Sequence, residues 1–117
     1  MDTTFGAALR ERRRAANITQ RELAARTGLD FSYISKLEND KLPPPAADTV
    51  VAISAILGVP PEELLALTRK IPSEVQQHLS SSEAAQRFLL EARRMDITDE
   101  EWRHLERSLR GLRGSDP

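Results

Sequence analysis

Three features of the sequence predict an all-α protein. Leu and Ala dominate its apolar residues, aromatics make up 4% of the chain and charged residues 30%. That composition suits a helical bundle better than a β-sandwich. Apolar residues recur at the three- and four-residue steps of a helix face. The helix-start signature Thr-x-x-Glu occurs twice, as "TQRE" at Thr19–Glu22 and "TDEE" at Thr98–Glu101, each a capping box that closes two orphan backbone donors. The 117 residues fit one compact domain, or a small domain with an appended segment. The core is expected to be modest, so association with a second copy would add burial.

The first helix is predicted over residues 4–16. Phe5, Leu9 and Arg13 share an i, i+4 row, with Ala8 and Ala16 beside it. The second begins at Thr19, turns Leu23 and Ala24 inward and stops at Gly28, since glycine enters the left-handed region at little cost. Asp30 is a suitable N-cap for the third. Its inward residues are Ile34 and Leu37, with Glu38 at the edge. "NDKLPPPAAD" then forms a stiff, extended linker. A fourth helix is predicted over 47–57, with Val50, Ile53, Ile56 and Leu57 as its apolar stripe, and Gly58 ends it. In "VPPEELLALTRK" a fifth starts at Pro61, with Glu62 and Glu63 complementing its dipole. A boundary near Lys70–Pro72 divides the chain into 1–70 and 71–117. Beyond it, short helices are predicted over 73–79, 82–94 and 99–112.

Several function classes find no support in the residues. There is no cysteine, hence no disulfide, thiol nucleophile or Cys-ligated zinc. His78 and His104 lie far apart and lack a metal-binding motif, so no metal is expected. Ser80–Ser82 read as a helix cap rather than a nucleophile. No glycine-rich phosphate loop occurs, and no cofactor or catalytic activity is expected. The first residues have no apolar core of signal-peptide length, and no apolar run approaches the roughly 20 residues of a membrane span. A cytoplasmic protein is the expectation. Net charge is −1, with +1 over residues 1–70 and −2 over 71–117. Binding to nucleic acid would therefore depend on a local patch.

At Gln20, Ala24, Gly28 and Ile34 the chain resembles the helix-turn-helix of XRE-type regulators, the phage-repressor and Cro class. The resemblance covers about residues 4–68 and includes the family's closing "S-x-L-E-N-G", here "SKLEND" with Asp40 in place of glycine. It implies a five-helix DNA-binding domain followed by a short helical C-terminal segment. It also implies that the third helix enters the major groove, which puts Phe31, Ser32, Tyr33 and Lys36 toward base edges. Ser32 donates or accepts at any base, and Lys36 suits guanine O6 and N7. Thr19 and Gln20 open the second helix, where free N–H groups favour an anion and make both phosphate-contact candidates; by the same resemblance Gln20 grips a backbone phosphate, and Asn39 and Lys41, after the third helix, are weaker phosphate candidates. Arg13 and Glu38 are expected to form a partly buried ion pair between the first and third helices. Arg10, Arg12 and Arg14 are left as solvent or DNA-backbone charges.

Trp102, Leu105, Leu109 and Leu112 fall at steps of three and four, an a/d-type stripe. The preceding helix offers Phe88 and Leu89. These six residues are the expected homodimer interface, although the same helices could cover each other. The leading expectation is a dimeric repressor of a two-half-site operator on double-stranded DNA, acting on its own promoter. Two other functions suit the same sequence. One is an antitoxin-type regulator whose C-terminal helices bind a protein partner. The other is a helical interaction module that no longer binds DNA.

Overall fold

The computed structural model describes residues 3–114, and among these it contains eight helices and no strand. They are α1 Phe5–Ala15, α2 Gln20–Thr27, α3 Phe31–Glu38, α4 Ala47–Leu57, α5 Pro61–Leu65, α6 Ser73–Ser80, α7 Glu83–Met95 and α8 Asp99–Arg110. Two compact units result, Met1–Gln76 and Gln77–Pro117, with the division inside α6.

In the first unit, α1 to α5 enclose one core. Leu9, Leu23, Ile34, Ile53, Val50 and Leu64 are fully buried, and Phe5, Ile18, Leu37 and Leu57 surround them. Local signals set most of the ends. Thr4 accepts a bond from the Ala7 N–H and starts α1. Both halves of the Thr19/Glu22 capping box form at α2. Gly28 closes α2 at φ 75°, and its N–H bonds the Ala24 carbonyl. Asp30 has the backbone of an N-cap, but its side chain makes no capping bond.

Two expectations shift. The fifth helix ends at Leu65 instead of running on through "ALTRK". The Thr68 hydroxyl donates to the Leu65 carbonyl and accepts from the Lys70 N–H, so side-chain bonds replace another helical turn. The first unit also extends six residues past the expected boundary. Lys70 Nζ donates to the carbonyls of Pro44 and Pro45, and the Asp48 carboxylate accepts from Ser73 N at 3.0 Å and Ser73 Oγ at 2.7 Å. These bonds tie the start of α6 to α4.

In the second unit, Ser82 caps α7 and a complete Thr98/Glu101 capping box starts α8. Phe88 of α7 meets Trp102 of α8 edge to face, centroids 6.4 Å apart. Ala92 is the buried residue of this hairpin. Glu83–Arg87, Glu91–Arg94 and Glu106–Arg110 pairs line the exposed faces; such pairs add a few tenths of a kcal/mol each, roughly 0.2–0.5.

Candidate nucleic-acid interface

The turn at Gly28 lets α2 and α3 share the core through Leu23 and Ala24 on one side and Ile34 and Leu37 on the other. With those residues inside, the outer face of α3 is decided. Phe31, Ser32 and Lys36 are exposed, and Ser32 and Lys36 stand one turn apart on the same face. Tyr33 is half-buried and packs against the core, so only part of it faces out. Phe31 lies under Arg21, whose guanidinium carbon is 4.4 Å from the ring centroid.

Behind this face, Arg13 and Glu38 make a buried two-pronged pair. Arg13 Nε donates to Glu38 Oε2 at 2.5 Å and Nη2 to Oε1 at 3.0 Å, while Nη1 donates to the Ile18 carbonyl at 2.9 Å. Gln20 Nε2 donates to Glu38 Oε1 at 2.9 Å. Arg10 Nε stands 3.5 Å from the same oxygen. Burial by itself would push the Glu38 carboxyl up. The bonds from Arg13 and Gln20 and the charge of Arg13 outweigh it and hold the group below the ordinary carboxylate value. The bond to Glu38 raises Arg13 against the opposing effect of burial. One carboxylate thus joins α1, α2 and α3 and fixes the orientation of α3.

Asp40, the residue that departs from the family's glycine, also has a partner. It takes the left-handed conformation at φ 56°. Its carboxylate accepts from Thr4 Oγ1 at 2.7 Å and from the Gly6 N–H at 3.0 Å. The backbones of α1 and α3 approach so closely here that a Cβ on Gly6 would lie 2.4 Å from the Leu37 carbonyl oxygen.

The remaining expected phosphate contacts are placed as follows. Thr19 Oγ1 is occupied as the cap of α2, accepting from Glu22 N at 3.0 Å. Gln20 is half-buried on Glu38; an amide has a second N–H, and that bond leaves it over. Asn39 bonds the Ser35 carbonyl and Arg10. Lys41 is exposed. Arg10, expected as a solvent or DNA-backbone charge, instead meets Glu38 and Asn39; sequence reasoning missed Arg21 and the Thr4–Gly6–Asp40 lock. In the second unit, Phe88, Trp102, Leu105, Leu109 and Leu112 line one groove of about 500 Å³, whereas Leu89 lies with Ala92 and Ile97 in a smaller cleft.

Among the described residues no group of three His, Cys, Asp or Glu side chains could hold a metal ion, and no helix is long and apolar enough to cross a membrane.

Residues 9–64 match the family model described as "HTH_3: Helix-turn-helix". The chain is 38% identical over 82 residues to an uncharacterized HTH-type transcriptional regulator, RghRB, of Bacillus subtilis (strain 168). Residues 9–64 therefore carry the XRE-type helix-turn-helix. The alignment to RghRB covers 70% of this chain and 59% of that protein, so the chain spans little over half of the relative's length. A solved "SinR protein/SinI protein complex" has a chain of similar helix-turn-helix fold, with a TM-score of 0.52 at 18% identity, covering 96% of this chain and 100% of that one. At that identity the likeness bears on the fold alone.

Proposed function

We propose that this protein is a sequence-specific, dimeric DNA-binding repressor that reads a two-half-site operator with α3, in the cytoplasm where that DNA lies. The observation that carries this is the outer face of α3. Ser32 and Lys36 stand exposed one turn apart, on a helix whose other side is fixed by Ile34, Leu37 and the Arg13–Glu38 pair. In this motif the second helix lies in the major groove with its N-terminal part toward base edges. Ser32 and Lys36 supply the base contacts, with Tyr33 flanking them against sugar or a thymine methyl. Thr19, the second N–H of Gln20, Asn39 and Lys41 supply phosphate contacts, which position the protein without reading sequence.

One module covers a short half-site, and two copies read half-sites about one helical turn, ~34 Å, apart. The second copy docks along Phe88, Leu89, Trp102, Leu105, Leu109 and Leu112. Trp102 and Leu109 are 40% and 63% exposed, a large apolar area for a lone hairpin to leave in water. Leu90 and Met95 are also exposed but do not line that groove. They favour a second reading, in which the C-terminal helices seat a different protein, as an antitoxin would seat its toxin.

The test is a footprint on the DNA upstream of the protein's own reading frame, at two salt concentrations. Two protected half-sites one turn apart, weakening as salt rises, are expected. No protection there, combined with no preferred sequence in a random library, would sink the proposal.

A further inference from the structure

We infer that Arg21, which neither the family pattern nor the expected contacts include, is a DNA phosphate contact, and that Phe31 positions it instead of reading a base. This rests on the DNA-binding reading above. The first unit's arginines divide into paired and unpaired. Arg10 and Arg13 meet Glu38, Arg12 meets Glu11 and Glu63, and Arg26 meets Glu22. Among the described residues no carboxylate lies within 4 Å of Arg14, Arg21 or Arg69, and of these three only Arg14 and Arg21 line the cleft beside α2 and α3. Glu22, the nearest acidic residue to Arg21 in the chain, is turned to Arg26.

Arg21 is nevertheless held. Its guanidinium lies over the Phe31 ring at 4.4 Å, within cation–π range. Phe31 is 40% exposed at the first position of α3, and the arginine covers one face of its ring. Stacking engages the guanidinium's face and leaves its in-plane N–H groups free, the geometry that suits a phosphate. Arg14 of α1 and Arg21 of α2 line the same open cleft of about 730 Å³, beside Gln20 and Thr19. In this motif the first helix crosses the DNA backbone while the second enters the groove. An unpaired, aromatic-braced arginine on α2 therefore meets phosphate in preference to a base edge.

The experiment measures affinity against salt for the full chain on two duplexes, one of mixed sequence and one enriched from a random library. It compares wild type, Arg21→Ala, Phe31→Leu and the double variant, with thermal unfolding confirming that each is folded. Arg21→Ala is expected to weaken both duplexes alike, roughly tenfold, and to flatten the log-affinity against log-salt slope by about 0.9. Phe31→Leu is expected to weaken both roughly threefold. The double variant should bind no worse than Arg21→Ala alone, because Phe31 acts through Arg21. A loss confined to the enriched duplex would make Arg21 a base reader and overturn the inference. So would losses that multiply, which would give Phe31 its own DNA contact. Wild type binding neither duplex would overturn the DNA-binding reading itself, and this inference with it.

Discussion

Replacing Glu38 by alanine strikes the point where three helices meet. The carboxylate has no exposed surface, and the Arg13 side chain opposite it is 10% exposed. Glu38 accepts two bonds from Arg13 and one from Gln20, with Arg10 close by. Removing it leaves the Arg13 guanidinium buried with only the Ile18 carbonyl for company. Breaking a buried pair from one side costs roughly 3–5 kcal/mol. The lost bond to Gln20 falls within that range, since Gln20 is only half-buried and water can replace its partner. For a domain of this size each kcal/mol lowers Tm by about 4–8 °C, so a fall of more than ~10 °C is expected. Urea unfolding followed by circular dichroism measures the loss directly. The double variant Arg13→Met/Glu38→Leu should recover most of it, because an apolar pair leaves no orphaned charge. A loss below ~1 kcal/mol for Glu38→Ala, the size of an exposed pair, would show that the pair does not act as a buried one. So would a double variant less stable than the single one.

Gly6→Ala should be among the most damaging small changes, costing roughly 1–3 kcal/mol or more, because its Cβ would meet the Leu37 and Glu38 carbonyl oxygens at 2.4 and 2.8 Å; a melting curve unchanged from wild type would contradict it. Asp40→Ala should destabilise more than Asp40→Gly, since both lose the bonds to Thr4 and Gly6 but only glycine relieves the left-handed backbone. Ser54 is fully buried in α4, and its hydroxyl oxygen has no hydrogen-bond partner among the described residues; Ser54→Ala should stabilise the fold by about 1 kcal/mol, read as a higher urea midpoint. The Glu38 carboxyl is depressed in the folded state, so its stabilisation is complete above the unfolded pKa and is lost as pH falls through the folded one. Wild-type stability should therefore drop in the acid range below ordinary carboxylate values, and the Arg13→Met/Glu38→Leu variant should lose less over the same interval. Leu109→Asp, at a 63% exposed position, should leave the helices intact and convert a dimer to a monomer in sedimentation; a variant that stays dimeric would move the interface elsewhere.

What could be read from the sequence was mostly short-range. A capping box is complete within four residues, so Thr19/Glu22 and Thr98/Glu101 announced two helix starts without help from the fold. The α4 stripe from Val50 to Leu57 needed only helical periodicity and a glycine stop. The Arg13–Glu38 bond spans 25 residues, but each partner sat where an apolar row should continue, and a charge in such a place needs a counterpart. Other features left no such mark. The Asp40 bonds to Thr4 and Gly6 span more than 30 residues, and only the missing glycine at that position hinted that the turn was unusual. Arg21 over Phe31 depends on the angle between α2 and α3, which no local pattern encodes. The end of the first unit was misplaced for the same reason, since the Asp48–Ser73 bonds cross 25 residues between ordinary polar side chains.

Selection from a random duplex library with wild type and Lys36→Ala tests whether the exposed face of α3 reads bases. Wild type should enrich a defined two-half-site sequence. Lys36→Ala should enrich the same sequence with one or two positions per half-site relaxed, at a cost of roughly 1–3 kcal/mol on the wild-type site. An unchanged sequence preference for the variant would contradict base reading by this face, as would a wild type that enriches no sequence at all.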